Sequence, residues 1–280
     1  MTADEVGRLL LVEARRADVQ FGAMMNWYVA ERFTQRLEQS GHRANLLLYG
    51  DLILHALEPA GVPRVWTAEL VRRAGLDAKD LAGALADVAS VDGSDGLVFE
   101  PAAELRQASS RGEPCMVEAR VTARLGESVC PIRVRISEDP VPEVEPSDLR
   151  FPPTLNETDP SRPMACAPEV LLADLVYQLA RSGVTHLRPK SYLDLRRLLR
   201  FKDFRPAVAV RAIASRFNGA ESPMRIPLAF GPEAAADKTL KQMWTAYCLR
   251  ARIPALDLSP VIEDLRFRLQ PLMREGRRSS

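Results

Sequence analysis

The sequence predicts an α+β protein: a mixed sheet with flanking helices, followed by an all-helical half. Three observations carry that prediction. The apolar run Leu46-Leu47-Leu48-Tyr49 climbs into Gly50-Asp51 and continues as an apolar helix face through Leu57. Residues 117–125 and 129–136 alternate apolar and polar side chains on either side of Gly126-Glu127, the period of half-buried strands joined by a turn. Beyond a Pro-rich acidic stretch, apolar residues recur only at helical spacing.

The elements follow in order. Residues 4–16 place Val6, Leu9, Leu10, Val12 and Ala14 roughly on one helix face. A second helix over 21–40 carries Phe21, Met24, Met25, Tyr28, Val29, Phe33 and Leu37, a methionine and aromatic stripe that reads as core packing. Residues 51–58 read as helix and stop at Pro59-Ala60-Gly61. Asp77 opens an Ala-rich helix over 77–90, and Leu97-Val98-Phe99 is a short strand. The segment from Glu138 to Pro146, loosely extended to Pro168, is too rich in proline for helix. It sets the expected boundary between an α/β domain over 1–150 and a helical domain over 151–280. Helices are expected near 169–182, 190–200, 206–217, 232–252 and 259–273, and the tail Arg274–Ser280 is expected to be disordered.

Composition narrows the functional classes. The chain has 280 residues, with Lys+Arg 38 against Asp+Glu 37 and a net charge of +1. That balance argues against attachment to nucleic acid by bulk charge. Asp4 and Glu5 stand where a signal peptide would be positive, and no apolar run approaches membrane-spanning length. Cys115, Cys130, Cys166 and Cys248 are scattered without a CxxC pair, so they read as reduced core thiols of a cytoplasmic protein. His42, His55 and His186 lack metal-ligand spacing, and His55 reads as a core histidine. The sequence holds no Ser-His-Asp constellation, P-loop or dinucleotide fingerprint.

The run through Tyr49-Gly50-Asp51, with Tyr28 to Phe33 and Arg36 to Ser40 before it, resembles the AbiEii/AbiGii-type nucleotidyltransferases, the toxin side of bacterial abortive-infection systems. The resemblance implies a nucleotidyltransferase-like sheet followed by a helical domain. It also implies carboxylates on adjacent strands that hold two divalent ions on a nucleoside triphosphate. In the family the glycine turn reads Lys-Gly-Gly or Gly-Gly/Ser, so Tyr49 stands for the lysine and Asp51 for the second small residue. The family pattern Arg-Pro-Thr-x-Asp-x-Asp falls on Arg64-Val65-Trp66-Thr67-Ala68-Glu69-Leu70-Val71. Glu69 then replaces the first aspartate, while Val71 replaces the second and cannot ligate a cation. The third carboxylate falls on Arg135. A Lys-Asp-x-x-Asp-Leu pattern falls on Lys190-Ser191-Tyr192-Leu193-Asp194-Leu195, which keeps Lys190 and Asp194 on one helix face.

These departures imply a family member repurposed as a metal-independent biosynthetic enzyme. It would act on an anionic small molecule, free or carrier-bound, in a cleft between the domains, by cyclisation through intramolecular displacement or by elimination. Asp51, Glu69 and Lys190 are the expected catalytic residues. Tyr49, Gly50, Arg64, Trp66, Thr67, Arg135 and Asp194 are expected to bind substrate, with no metal and no cofactor. Asp51 reads either as a general base or as a helix cap. The rival readings are a noncatalytic binding or antitoxin-like partner, and an active toxin that modifies tRNA.

Overall fold

The structure is a computed structural model. It describes residues 1–57, 67–100, 105–108, 116–156, 160–182, 188–218, 224–251, 253–254 and 256–279. The chain divides into two compact units, Met1–Cys166 and Ala167–Ser280, so the Pro-rich segment belongs to the first.

The first unit opens with α1 (Ala3–Arg16), begun by a capping box in which Thr2 and Glu5 satisfy each other's backbone amides. Its buried stripe is Val6, Leu10 and Ala14. Helix α2 (Phe21–Gln39) buries residues on nearly every side and packs on α1, on α4 and on the sheet. Strand β1 (Leu46–Tyr49) leads through Gly50 into α3 (Asp51–Leu57). There follow β2 (Thr67–Arg72), α4 (Leu81–Ser90), β3 (Leu97–Glu100) and β4 (Leu105–Ala108). A short 3-10 turn at Ala78–Asp80 begins the α4 region, where the sequence predicts a continuous helix. The hairpin is β5 (Met116–Leu125) and β6 (Ser128–Glu138), turning at Gly126 as the alternation predicts.

Two short strands, β7 (Ser147–Asp148) and β8 (Met164–Ala165), complete a mixed sheet of order β3-β5-β6-β2-β1-β8-β7, with β4 pairing the start of β5 on the edge that β3 shares. Strands β1 and β2 are antiparallel, whereas β2 and β6 run parallel. One sheet face is apolar: Ala68, Leu70, Val121, Ile132, Val134 and Ile136 are all buried. The opposite face of β5 and β6 presents Glu118, Arg120, Arg133 and Arg135.

The second unit is helical, as the spacing predicts. It contains α5 (Pro168–Ser182), α6 (Pro189–Arg200), α7 (Pro206–Phe217), α8 (Pro232–Ala236), α9 (Lys238–Ala251) and α10 (Leu258–Ser279). The predicted single helix over 232–252 is broken at Asp237. That residue is extended, and its Oδ1 accepts from Leu240 N at 2.7 Å, so it caps α9 instead of continuing α8. The tail expected to be disordered is helix through Ser279, because Leu265, Leu269, Leu272 and Met273 keep a buried stripe against α7. Ion pairs tie the bundle together, among them Arg205 on the fully buried Glu169, at 3.1 Å, Arg216 on Asp174, at 2.8 Å, and Arg200 on Asp264, at 2.9 Å.

The near-neutral total conceals a separation of charge. Residues 1–166 hold 18 Lys and Arg against 26 Asp and Glu, a formal −8, and residues 167–280 hold 20 against 11, a formal +9. No described helix is long and apolar enough to cross a membrane.

Candidate functional site

Strand pairing assembles one candidate site on the charged face of the sheet. Tyr49 of β1 lies opposite Glu69 of β2, and Glu69 lies beside Arg135 of β6. Gly50 turns the chain from β1 into α3 with φ +61°, a left-handed conformation that favours glycine. Glu69 occupies the space a side chain would need there: a methyl on Gly50 would collide with Glu69 Oε2 and lie 2.8 Å from its Cδ. The carboxylate of Glu69 is thus seated on the glycine turn. Gly50 also supplies the carbonyl that accepts from Leu54 N, at 3.3 Å, which makes it the cap of α3. Asp51 is the first helical residue and half-buried, directly after the glycine turn.

Arg135 shares the face of Glu69 but directs its Nε to Glu118, 3.4 Å away, and Arg133 reaches the other oxygen of Glu118 at 2.8 Å. Thr67 and Arg133 flank the pair one step down the ladder, Val71 and Ser137 one step up. Val71 is fully buried. Arg64 and Trp66 lie outside the described residues.

The two divalent ions implied by the resemblance would need oxygen ligands from this face of the sheet. At the positions the resemblance implies for the ligands, Glu69 offers one carboxylate, Val71 hydrocarbon, and Arg135, the pairing partner of Glu69, a cation. Hard divalent cations take oxygen ligands. These three residues do not fit the two-metal centre that the resemblance implies.

Lys190 and Asp194 lie in the second unit and are brought together there. Pro189 occupies the first turn of α6, and one turn on Lys190 Nζ meets Asp194 Oδ2 at 2.5 Å. The Asp194 side chain is 5% exposed and that of Lys190 44%. The i,i+4 pairing read from the sequence is therefore realised, with the acid inside and the base at the rim.

Sequence reasoning missed a buried charged cluster in the first unit. Arg36 and Asp95, 2% and 3% exposed, form a two-pronged pair at 2.7 and 2.8 Å. Arg36 also donates to the carbonyls of Arg32 and Leu97 and covers the Phe99 ring at 4.5 Å. Tyr28 donates to the Asp95 carbonyl, tying α2 to the approach to β3. Glu31 lies beside Arg32 and accepts from Thr154 N at 2.6 Å; burial pushes its carboxyl above the usual range, against the pull of Arg32. An arginine one turn past Phe33, where the core stripe runs, was the available signal. His55 is a buried core histidine, its ring 4.0 Å from that of Trp27. His42 bonds Asp87 at the surface.

A solved structure described as JHP933 from Helicobacter pylori matches with a TM-score of 0.51 and 12% identity, covering 92% of this chain and 94% of its own. A putative nucleotidyltransferase from H. pylori matches over 92% and 97% at 10% identity, but its TM-score of 0.37 carries no argument. The first likeness supports a shared fold and nothing finer. No curated protein sequence matches. The family described as "Nucleotidyl transferase AbiEii toxin, Type IV TA system" matches residues 67–265, well over half of the chain. The match takes in β2 with Glu69 and Val71, β6 with Arg135 and α6 with Lys190 and Asp194, and on that span the chain belongs to the AbiEii nucleotidyl transferase family.

Proposed function

We propose that this AbiEii-family protein no longer carries out two-metal nucleotidyl transfer and instead converts an anionic small molecule without metal. The observation that carries the reading is the row Glu69, Val71 and Arg135, one acid where the family pattern needs three. A positive guanidinium in the third register repels a divalent cation and attracts an anion. Glu69, seated on the glycine turn, and Asp51, one residue beyond it, are the groups that would accept a proton from such a substrate. Arg135 holds the anionic group, and Tyr49 and Thr67 flank it. The reaction class is cyclisation by intramolecular displacement, or elimination. The type IV toxin–antitoxin description of the family supports a protein partner as well.

Calorimetry with ATP and CTP tests the proposal. The expected result is no magnesium-dependent binding in the micromolar range; magnesium-dependent micromolar binding of either triphosphate would overturn it.

A second reading, a toxin that acts on tRNA, is favoured by one observation: the formal +9 carried by residues 167–280. Charge collected on one unit can hold a phosphate backbone even when the whole chain is near neutral. Gel-shift titrations of a tRNA pool at rising salt separate the readings. Submicromolar binding that weakens steeply with salt supports the second, and its absence at low salt removes it.

A further inference from the structure

The geometry points to a second binding site, wholly within the helical unit, that takes an organic anion with an apolar body in the groove between the start of α6 and the outer face of α9. Only one stripe of α9 is buried, Leu240, Trp244 and Cys248 at i, i+4 and i+8. The neighbouring stripe, Met243, Ala246, Tyr247 and Arg250, faces the first turn of α6 across a cavity of about 480 Å³. That volume lies within the range of small-ligand pockets, roughly 300–1,000 Å³.

The two kinds of lining define the ligand. Met243 and Leu249 are 45% and 74% exposed, large apolar side chains left facing solvent. Tyr247 adds an aromatic ring. Around them stand three cations, Arg188, Lys190 and Arg250, and among the described residues no acid lines the groove. Asp194 pairs with Lys190 from beneath, so the net charge at the rim remains positive. Hydrocarbon walls under a cationic rim match a carboxylate, sulfonate or phosphate carried on an apolar chain or ring. An uncharged molecule of the same shape would bind on the walls alone, and a compact inorganic anion on the rim alone. The inference shares Lys190 with the expected substrate contacts but does not rest on the reading of the sheet site.

The test is a fluorescence titration of the full chain with anilinonaphthalene sulfonate and, in parallel, the uncharged N-phenyl-1-naphthylamine. The sulfonate is expected to saturate at one site, at least tenfold tighter than the neutral dye. Ala246 is exposed, so Ala246→Trp fills the groove without removing a core contact. It should weaken both dyes at least tenfold. Arg250→Glu should weaken the sulfonate at least fivefold and leave the neutral dye unchanged. Lys241→Glu, on the same helix but outside the groove, should change neither by more than twofold. Circular dichroism confirms that each variant is folded, and Arg250→Glu serves as the readout if Ala246→Trp is not. Equal affinity for the two dyes, an unaltered sulfonate affinity in Arg250→Glu, or an equal loss in Lys241→Glu would overturn the proposal. No variant touches Glu69, Asp51 or Arg135, so failure here leaves the triphosphate test of the sheet site untouched, and the reverse holds.

Discussion

Changing Asp95 to Asn asks how far the first unit depends on a single buried pair. The carboxylate receives both prongs of Arg36 and also Leu97 N, at 3.1 Å. Asparagine keeps one acceptor and sets an NH2 against a guanidinium that can only donate. The Arg36 charge stays in place at 2% exposure, held by the carbonyls of Arg32 and Leu97 and by the one amide oxygen that remains. Breaking a buried pair from one side costs about 3–5 kcal/mol, and the surviving carbonyl contacts put this case near about 3. The chain has two units, so the signal must come from one of them. Tryptophan fluorescence in a Trp244→Phe background reports only Trp27 and Trp66, both in residues 1–166. With a urea slope of about 2 kcal/mol/M, the midpoint should fall by roughly 1.5 M. The Arg36→Met/Asp95→Leu double variant should lose less than the two single variants added together, because the pair fails as one. A loss below about 1 kcal/mol, or strict additivity, would refute the reasoning.

Other outcomes follow from the same geometry. Gly50→Ala should cost about 1–2 kcal/mol from its left-handed backbone and more from the displaced Glu69; in a Glu69→Ala background only the backbone part should remain, and an undiminished loss there would show that the carboxylate does not sit on the turn. Asp51→Asn should change stability by no more than about 0.5 kcal/mol, since asparagine caps a helix nearly as well as aspartate, while turnover of the natural substrate falls roughly a hundredfold if Asp51 is the base; full turnover would leave Glu69 alone in that role. Burial raises the Cys130 thiol to about 11, so its contribution to stability is intact below the ordinary value of 9.0 and is lost as pH climbs through 11. In a Cys115→Ser background, Cys130, Cys166 and Cys248 should therefore resist a thiol reagent at pH 8 until urea unfolds the chain, and rapid labelling of the native protein would contradict their burial.

Much of the fold was legible because it rests on local periodicity. The hairpin 117–136 shows its alternation directly, and the helices of both units show their stripes. Features set by distant residues were not legible. Arg36 and Asp95 are separated by 59 positions, and each alone reads as a solvated charge. Asp237 stops a helix through one side-chain bond that no hydropathy pattern records. The tail Arg274–Ser280 reads as disordered in the sequence, yet apolar residues just before it anchor the helix through Ser279. On the sheet side, the row Glu69, Val71 and Arg135 could be listed from resemblance, but only pairing set Glu69 beside Arg135 and showed the guanidinium turned toward Glu118. The separation of charge was present in the sequence throughout, and the near-zero total hid it.

The placement of β8 has a consequence for how the chain is made and cut. Strand β1 is paired on one edge by β2 and on the other by β8, where Cys166 N donates to Leu48 O at 3.0 Å. A ribosome must therefore deliver residue 166 before the oldest strand of the sheet is closed on both sides. A fragment ending at residue 150 would leave Leu48 unpaired on that edge of an apolar strand, the kind of template on which strands from other molecules stack. Such a fragment should precipitate, whereas one ending at 166 should remain in solution.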